Sequence, residues 1–148
     1  MRIYLVLVSI ALFAFSCKSG EKSTKTETTN QSILGSGWEL VEAFGEPIVL
    51  PDRSNIPYLA FNVGDLAVTG STACNKLFGN YYMGEDAFGF AEIASSEMYC
   101  ESTAEIERTM LNVMNQTNNY KVIGETLEFY SGDKMIAKFT KMAQVPEF

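Results

Sequence analysis

The chain contains no histidine, and that absence removes more chemistry than any single residue adds. Catalytic arrangements that take a proton on imidazole are excluded by composition. Zinc fares no better, because three cysteines without a histidine fall short of the four Cys or His ligands of a structural site. Cations are scarce as well: 11 Lys and Arg stand against 18 Asp and Glu, for a formal charge of −7, and no basic cluster marks the part that would fold. Such a surface repels phosphate backbones, so nucleic acid is not expected as a partner. No apolar run reaches the roughly twenty residues of a bilayer-spanning helix.

What the chain does have begins with a short leader. Met1 and Arg2 make a positive start, and residues 3–15 are apolar apart from Ser9, which is the layout of an export signal. Ala14, Phe15 and Ser16, just before Cys17, resemble a bacterial lipobox. Removal of residues 1–16 would take away Arg2 and no acidic residue, making the formal charge one unit more negative. The likeness to bacterial lipoproteins implies a diacylglyceryl thioether and an acylated amine on Cys17. Each buried methylene contributes about 0.8 kcal/mol, and several chains anchor durably where one binds marginally. The membrane is thus expected as a partner through a lipid anchor. An ordinary secretory signal cleaved elsewhere is the alternative. Lys18 supplies no acidic retention signal after the lipid site, which points to the outer membrane, facing the periplasm.

Residues 17–36 then read as a lipidated Cys and a flexible tether. Lys, Ser, Thr and Glu dominate residues 18–36, and such a segment buries too little surface to offset the entropy of ordering it. As a coil it would set the domain about 25 Å from the lipid. Residues 37–142 form one stretch of domain size, with residues 143–148 as a C-terminal tail. Turn-forming residues recur at short intervals, as at Pro51-Asp52, Gly64-Asp65 and Ser131-Gly132-Asp133. That punctuation predicts a mainly β fold (α+β), with strands at residues 38–44, 58–63, 67–71, 77–83, 88–94, 120–123, 126–130 and 135–141. Gly124-Glu125 is read as a tight hairpin turn. In the last strand Met135, Ala137 and Phe139 alternate with Ile136, Lys138 and Thr140, one face buried and one wet.

One segment breaks the pattern. Ile106, Met110, Val113 and Met114 lie on one stripe of a helix over about 103–117. Ser102 with Glu105 predicts a capping box at its start, and Asn118-Asn119 a left-handed stop. Glu101, Glu105 and Glu107 are explained there by the positive end of the helix dipole.

With Cys17 set aside, Cys74 and Cys100 remain. An exported protein passes through an oxidising compartment, so the even pair reads as a disulfide; two buried free thiols are the alternative. The surrounding residues carry a resemblance. Trp38-Glu39-Leu40, then Gly70-Ser71-Thr72-Ala73-Cys74-Asn75 and Gly79-Asn80-Tyr81, then Met98-Tyr99-Cys100 and a helix containing Glu107, resemble the META domain, the HslJ-like family of small envelope proteins. Ala73 stands where a Gly is usual, and Ser96 near where a Thr is expected. The resemblance implies a small antiparallel, partly closed β-barrel with one packed α-helix, and a cysteine pair joining the segments of Cys74 and Cys100. It implies no shared chemical activity, and fold alone supplies none.

Other motifs fall away. Gly70 to Leu77 lacks the second Gly and the magnesium-binding hydroxyl of a phosphate loop, and Ser36 sits at a linker edge instead of a nucleophile elbow. Glu85-Asp86 with Glu92 or Glu97 could gather calcium, but adjacent acids in a turn are more often solvated. Asn75 reads as a bridge within a tight turn. Tyr81, Tyr82, Tyr99, Tyr120 and Tyr130 could line a pocket, though such tyrosines more often finish a core. No catalytic residue, metal ligand or cofactor is therefore expected. The expectation is a non-enzymatic envelope lipoprotein with a protein partner or a stress or integrity role. The alternative is a carrier of a small apolar ligand, favoured if Ala60, Ala67 and Ala137 face inward.

Overall fold

The computed structural model describes residues 32–84 and 87–146. The leader, Cys17 and the Glu85-Asp86 turn lie outside the described residues. Among the described residues there are nine antiparallel strands: β1 (Gly37–Ala43), β2 (Glu46–Pro47), β3 (Pro57–Phe61), β4 (Ala67–Thr72), β5 (Lys76–Met83), β6 (Phe88–Ser95), β7 (Asn119–Ile123), β8 (Thr126–Ser131) and β9 (Lys134–Lys141), with helix α1 (Ala104–Gln116) between β6 and β7. The sheet runs β6-β5-β4-β3-β1-β9-β8-β7, and β2 pairs only with β1. It curls until its two ends meet through side chains: the rings of Phe88 on β6 and Tyr120 on β7 are 4.6 Å apart. The result is a half-barrel with one helix laid against β1, β3, β4, β6 and β8.

The predicted helix stripe is the buried face of α1, since Ile106, Met110, Val113 and Met114 all point into the core. Met110, Val113 and Met114 share one core cluster with Trp38, Leu40, Leu59, Phe61, Leu77 and Phe129, each nearly or wholly removed from solvent. Curling such a sheet requires bulges, and they fall where the alternation of sides is interrupted. The register shifts between Leu40 and Glu42 against β9, between Phe78 and Asn80 against β6, and between Phe129 and Tyr130 against β9. On β6 Glu92 takes φ +53°, and Ile93 returns to the core side after Phe90. On the outside, Lys121, Glu128, Lys138 and Glu42 stand in one row across β7, β8, β9 and β1, and Lys138 reaches Glu42 at 3.0 Å. Opposite charges placed side by side suit the wet face of a sheet.

Several expectations need correction. Residues 33–36 belong to the fold and not to the tether, because Ile33 is fully buried and its carbonyl accepts the Trp38 indole proton at 2.9 Å. The capping box does not form. Cys100 leads into a single 3₁₀ turn, Glu101–Thr103, with the Thr103 amide bonded to the Cys100 carbonyl. That turn makes Thr103 the N-cap, without a side-chain capping bond, and Glu105 pairs with Arg108. At the other end the helix stops on Thr117, which is extended and sends both its amide and its hydroxyl to the Val113 carbonyl. Asn118 instead serves the β8–β9 hairpin by accepting the Gly132 amide.

In β9, Ile136 is buried with Ala137 and Phe139, so its two faces are less distinct than the alternation predicts. The tail also folds back. The Met142 amide bonds to the Gly37 carbonyl, and a Cβ on Gly37 would come within 2.9 Å of the Val145 side chain.

Candidate functional site

The densest polar cluster surrounds Asn75, in the turn from β4 to β5. That turn closes on itself: the Asn75 amide donates to the Thr72 hydroxyl at 3.0 Å and the Thr72 amide to the Asn75 carbonyl at 2.9 Å. Between them Ala73 holds φ +72°, a left-handed conformation that favours glycine, which explains why a Gly is usual there. Cys74, on the same turn, is bonded to Cys100 with the Cα atoms 6.0 Å apart. The disulfide expected from the sequence is therefore present, and the free-thiol alternative falls.

Asn75 itself is 2 % exposed and uses both ends of its side chain. Its oxygen accepts the Ser96 hydroxyl and the Met98 amide, each at 2.8 Å. Its nitrogen donates to the Met98 carbonyl at 3.0 Å and to both Glu107 carboxylate oxygens at 2.9 Å. One side chain thus ties a β-turn, the strand-to-helix segment and the helix together. A buried amide with every group matched is costly to disturb. Asn75 is structural, but its side chain does not bridge its own turn, which its backbone closes with Thr72; it reaches across to the Met98 backbone instead. Glu107 is more than a dipole partner, since it accepts Asn75 and, at 3.4 Å, the Ser95 hydroxyl. The available signal for this was a carboxylate three residues before Met110, at the edge of the apolar stripe.

The junction holds Met98 and Tyr99 out to solvent, 58 % and 84 % exposed. Beside it runs a surface cleft of about 310 Å³, bordered by Asn55, Ile56, Tyr58, Ser71, Cys74 and Met98. The five tyrosines do not converge on it. Tyr81 is buried and donates to the Asn62 carbonyl at 3.0 Å; burial first, then the charge of Asp65, pushes its phenol above the usual range. Tyr120 is raised by burial. Tyr82 lies outside over Gly89, where a Cβ would strike its ring. Tyr130 donates to Glu128 at 2.6 Å on the outer face, and that bond, with burial and the carboxylate's charge, pushes its phenol up to about 12.

Of the small positions said to face inward, only Ala137 lies in the core cluster. Ala60 and Ala67 sit across from Thr69 and Asn80 on the outer side, alternating with inward Leu59 and Val68. Rings of Phe61, Tyr81, Phe88, Phe90, Phe129 and Phe139 stack through the interior at centroid distances of 4.9 to 6.4 Å. Among the described residues no three His, Cys, Asp or Glu gather as metal ligands; Glu92 accepts the Asn80 amide and Glu97 is exposed. Gly70 lies within β4, far from a phosphate-loop geometry.

These features define a small antiparallel half-barrel with one helix, stapled at the turn before β5. A family model described as META domain matches residues 31–144, and the chain belongs to the META domain family. Two solved structures share the fold at 17 % identity. One is the NMR structure of a protein from Burkholderia xenovorans, with a TM-score of 0.62, covering 76 % of this chain and 85 % of that one. The other, also an NMR structure, has a TM-score of 0.55 and covers 71 % and 87 %. No curated protein matches the sequence.

Proposed function

We propose that this META domain protein is a non-enzymatic envelope lipoprotein, anchored through acylated Cys17, that presents the Met98–Tyr99 face to a protein partner in the envelope. The observation that carries this reading is the junction itself. A disulfide, a buried Asn75 and a helix carboxylate fix two exposed side chains that have no role in the core. Met and Tyr are enriched at protein interfaces, and holding them rigid lowers the ordering entropy that association must overcome. The disulfide agrees with export to an oxidising compartment, as the leader requires.

The reading is tested in intact cells by a photo-cross-linking amino acid at position 99. A discrete adduct, lost when Cys17→Ala releases the protein from membranes, supports it. Equal labelling from position 46, on the exposed β2, contradicts it. The carrier alternative draws no support from Ala60 and Ala67, which lie outside the barrel. Native mass spectrometry with retained lipid on the released domain would restore it.

A further inference from the structure

The strands of the half-barrel run between two ends. One end carries the disulfide, the turn from β4 to β5 and the Met98–Tyr99 junction leading into α1. The opposite end, fixed by the antiparallel pairing, carries the hairpin turns β3–β4, β5–β6 and β7–β8, with the segment entering β1 and the tail leaving β9. Contacts join these pieces into a rim. The Gly35 amide donates to the Phe61 carbonyl at 3.1 Å, the Tyr81 amide to the Leu66 carbonyl at 2.9 Å and the Lys141 amide to the Glu125 carbonyl at 2.8 Å, while the Tyr120 hydroxyl donates to the Met83 sulfur at 3.5 Å.

The rim is apolar where it meets solvent. Val63 is 74 % exposed and Leu66 53 %, with Ile123, Met83 and Val145 between 39 and 47 %, and none of the five belongs to the core cluster. Leu66 holds φ +54°, a left-handed conformation that is costly for a residue other than glycine, so the turn keeps an exposed leucine against its backbone preference. The turns are also acidic: Asp65 and Glu125 are exposed, and Glu85 and Asp86 fall between β5 and β6 in the sequence. Such a rim is repelled by anionic headgroups and suits zwitterionic ones.

The chain itself selects the occupant. Ile33 is buried in the core cluster, so the polypeptide coming from the direction of Cys17 joins the domain at this end. A domain held by a lipid on Cys17 is therefore tied to the membrane by the end that carries the rim. A few aliphatic side chains bind a lipid surface weakly by themselves, but a tether makes the contact intramolecular and raises its effective concentration.

We propose that Val63, Leu66, Met83, Ile123 and Val145 rest on a zwitterionic lipid surface, so that the Met98–Tyr99 junction stands at the far end, away from the membrane by about the 20 Å length of the six-residue β4. The orientation rests on the anchor at Cys17 proposed above and adds to it a second, non-covalent membrane contact made by the domain itself.

The test places the membrane-extracted protein in phosphatidylcholine nanodiscs doped with a gadolinium-chelate lipid, with ¹³C at the methyl groups. The methyls of Val63, Leu66 and Ile123 should broaden several-fold more than that of Met98. Val63→Ser combined with Leu66→Asn, which tolerates a left-handed backbone, should reduce the broadening at Ile123 and Met83 several-fold while the buried Met110 methyl keeps its shift and shows that the variant is folded. Exchanging half of the phosphatidylcholine for phosphatidylglycerol should lessen the broadening at Val63. Broadening at Met98 equal to or above that at Val63 and Leu66 overturns the proposal, and so does a pattern that the double variant leaves unchanged or that the anionic lipid strengthens. The same comparison is made on a leader-free, unacylated chain coupled through the Cys17 thiol to a maleimide lipid. An absent acyl group in cells then overturns the proposed anchor, whereas the orientation stands or falls on the broadening pattern of the coupled chain.

Discussion

The side-chain nitrogen of Asn75 lies 2.9 Å from both carboxylate oxygens of Glu107, joining the turn before β5 to the first turns of α1. The disulfide acts at the same place from the other side, linking Cys74 to Cys100 just ahead of the helix. One covalent and one polar tie therefore hold the helix on the half-barrel. The bonds from Asn75 to Met98 fix the segment between them.

Asn75→Ala should destabilise the domain by about 2 to 4 kcal/mol, because a carboxylate, a carbonyl and an amide lose their shared partner. Denaturant unfolding measures it. In a double-mutant cycle with Glu107→Ala, a coupling of about 1 to 3 kcal/mol is expected for groups in direct contact. Additive losses would show that the pair does not interact.

Replacing Cys74 and Cys100 together by Ala should cost about 3 to 4 kcal/mol, from the loop-closure entropy of a cross-link spanning 26 positions. Amide hydrogen exchange should rise most at residues 96–100. Asn75 and Ser96 still hold that segment in part, so the loss should be non-additive with Asn75→Ala.

Gly70→Ala probes the close approach of β4 to the backbone of β3. A Cβ there would come within 2.1 Å of the Tyr58 carbonyl oxygen, a backbone atom that cannot rotate away. A loss of about 3 kcal/mol or failure to fold is expected, read as a fall in thermal midpoint. Gly64→Ala, where a Cβ would meet nothing within 4 Å, is the control and should leave the midpoint nearly unchanged.

Tyr130 should resist ionisation. Its phenol is pushed up to about 12, first by the bond to Glu128, against about 10 in an unfolded chain. A folded-state value above the unfolded one means that the stabilisation is complete below pH 10 and is lost as pH rises from about 10 to 12. The 295 nm absorbance difference between the parent and Tyr130→Phe isolates this titration. Glu128→Gln should lower its midpoint towards the ordinary tyrosine value.

Much of the architecture was legible because strands with one buried face write their period into the sequence. The stripe of Ile106, Met110, Val113 and Met114 did the same for α1. The boundaries were not legible where tertiary contacts decide them. Ser102 and Glu105 fit a capping box locally, yet the chain entering from Cys100 makes a 3₁₀ turn first. Ile33 and Leu34 are two apolar residues at the end of a polar stretch, and bonds formed only in the fold, from the Trp38 indole to Ile33 and from the Gly35 amide to Phe61, reveal their place. Alternation likewise could not tell inside from outside for Ala60, since every position of β3 is buried. For the junction, Asn75 stood out by its place beside Cys74. Its partner Glu107, 32 positions away, is a relation in space that one sequence does not record.

The intact mass of the protein extracted from membranes in detergent tests the account most directly. The predicted mass is that of a chain beginning at Cys17, carrying diacylglycerol and an amine-linked acyl group, and two hydrogens lighter for the Cys74–Cys100 bond, with no thiol titratable after denaturation. An unacylated chain, or one that exposes two titratable thiols, would contradict it.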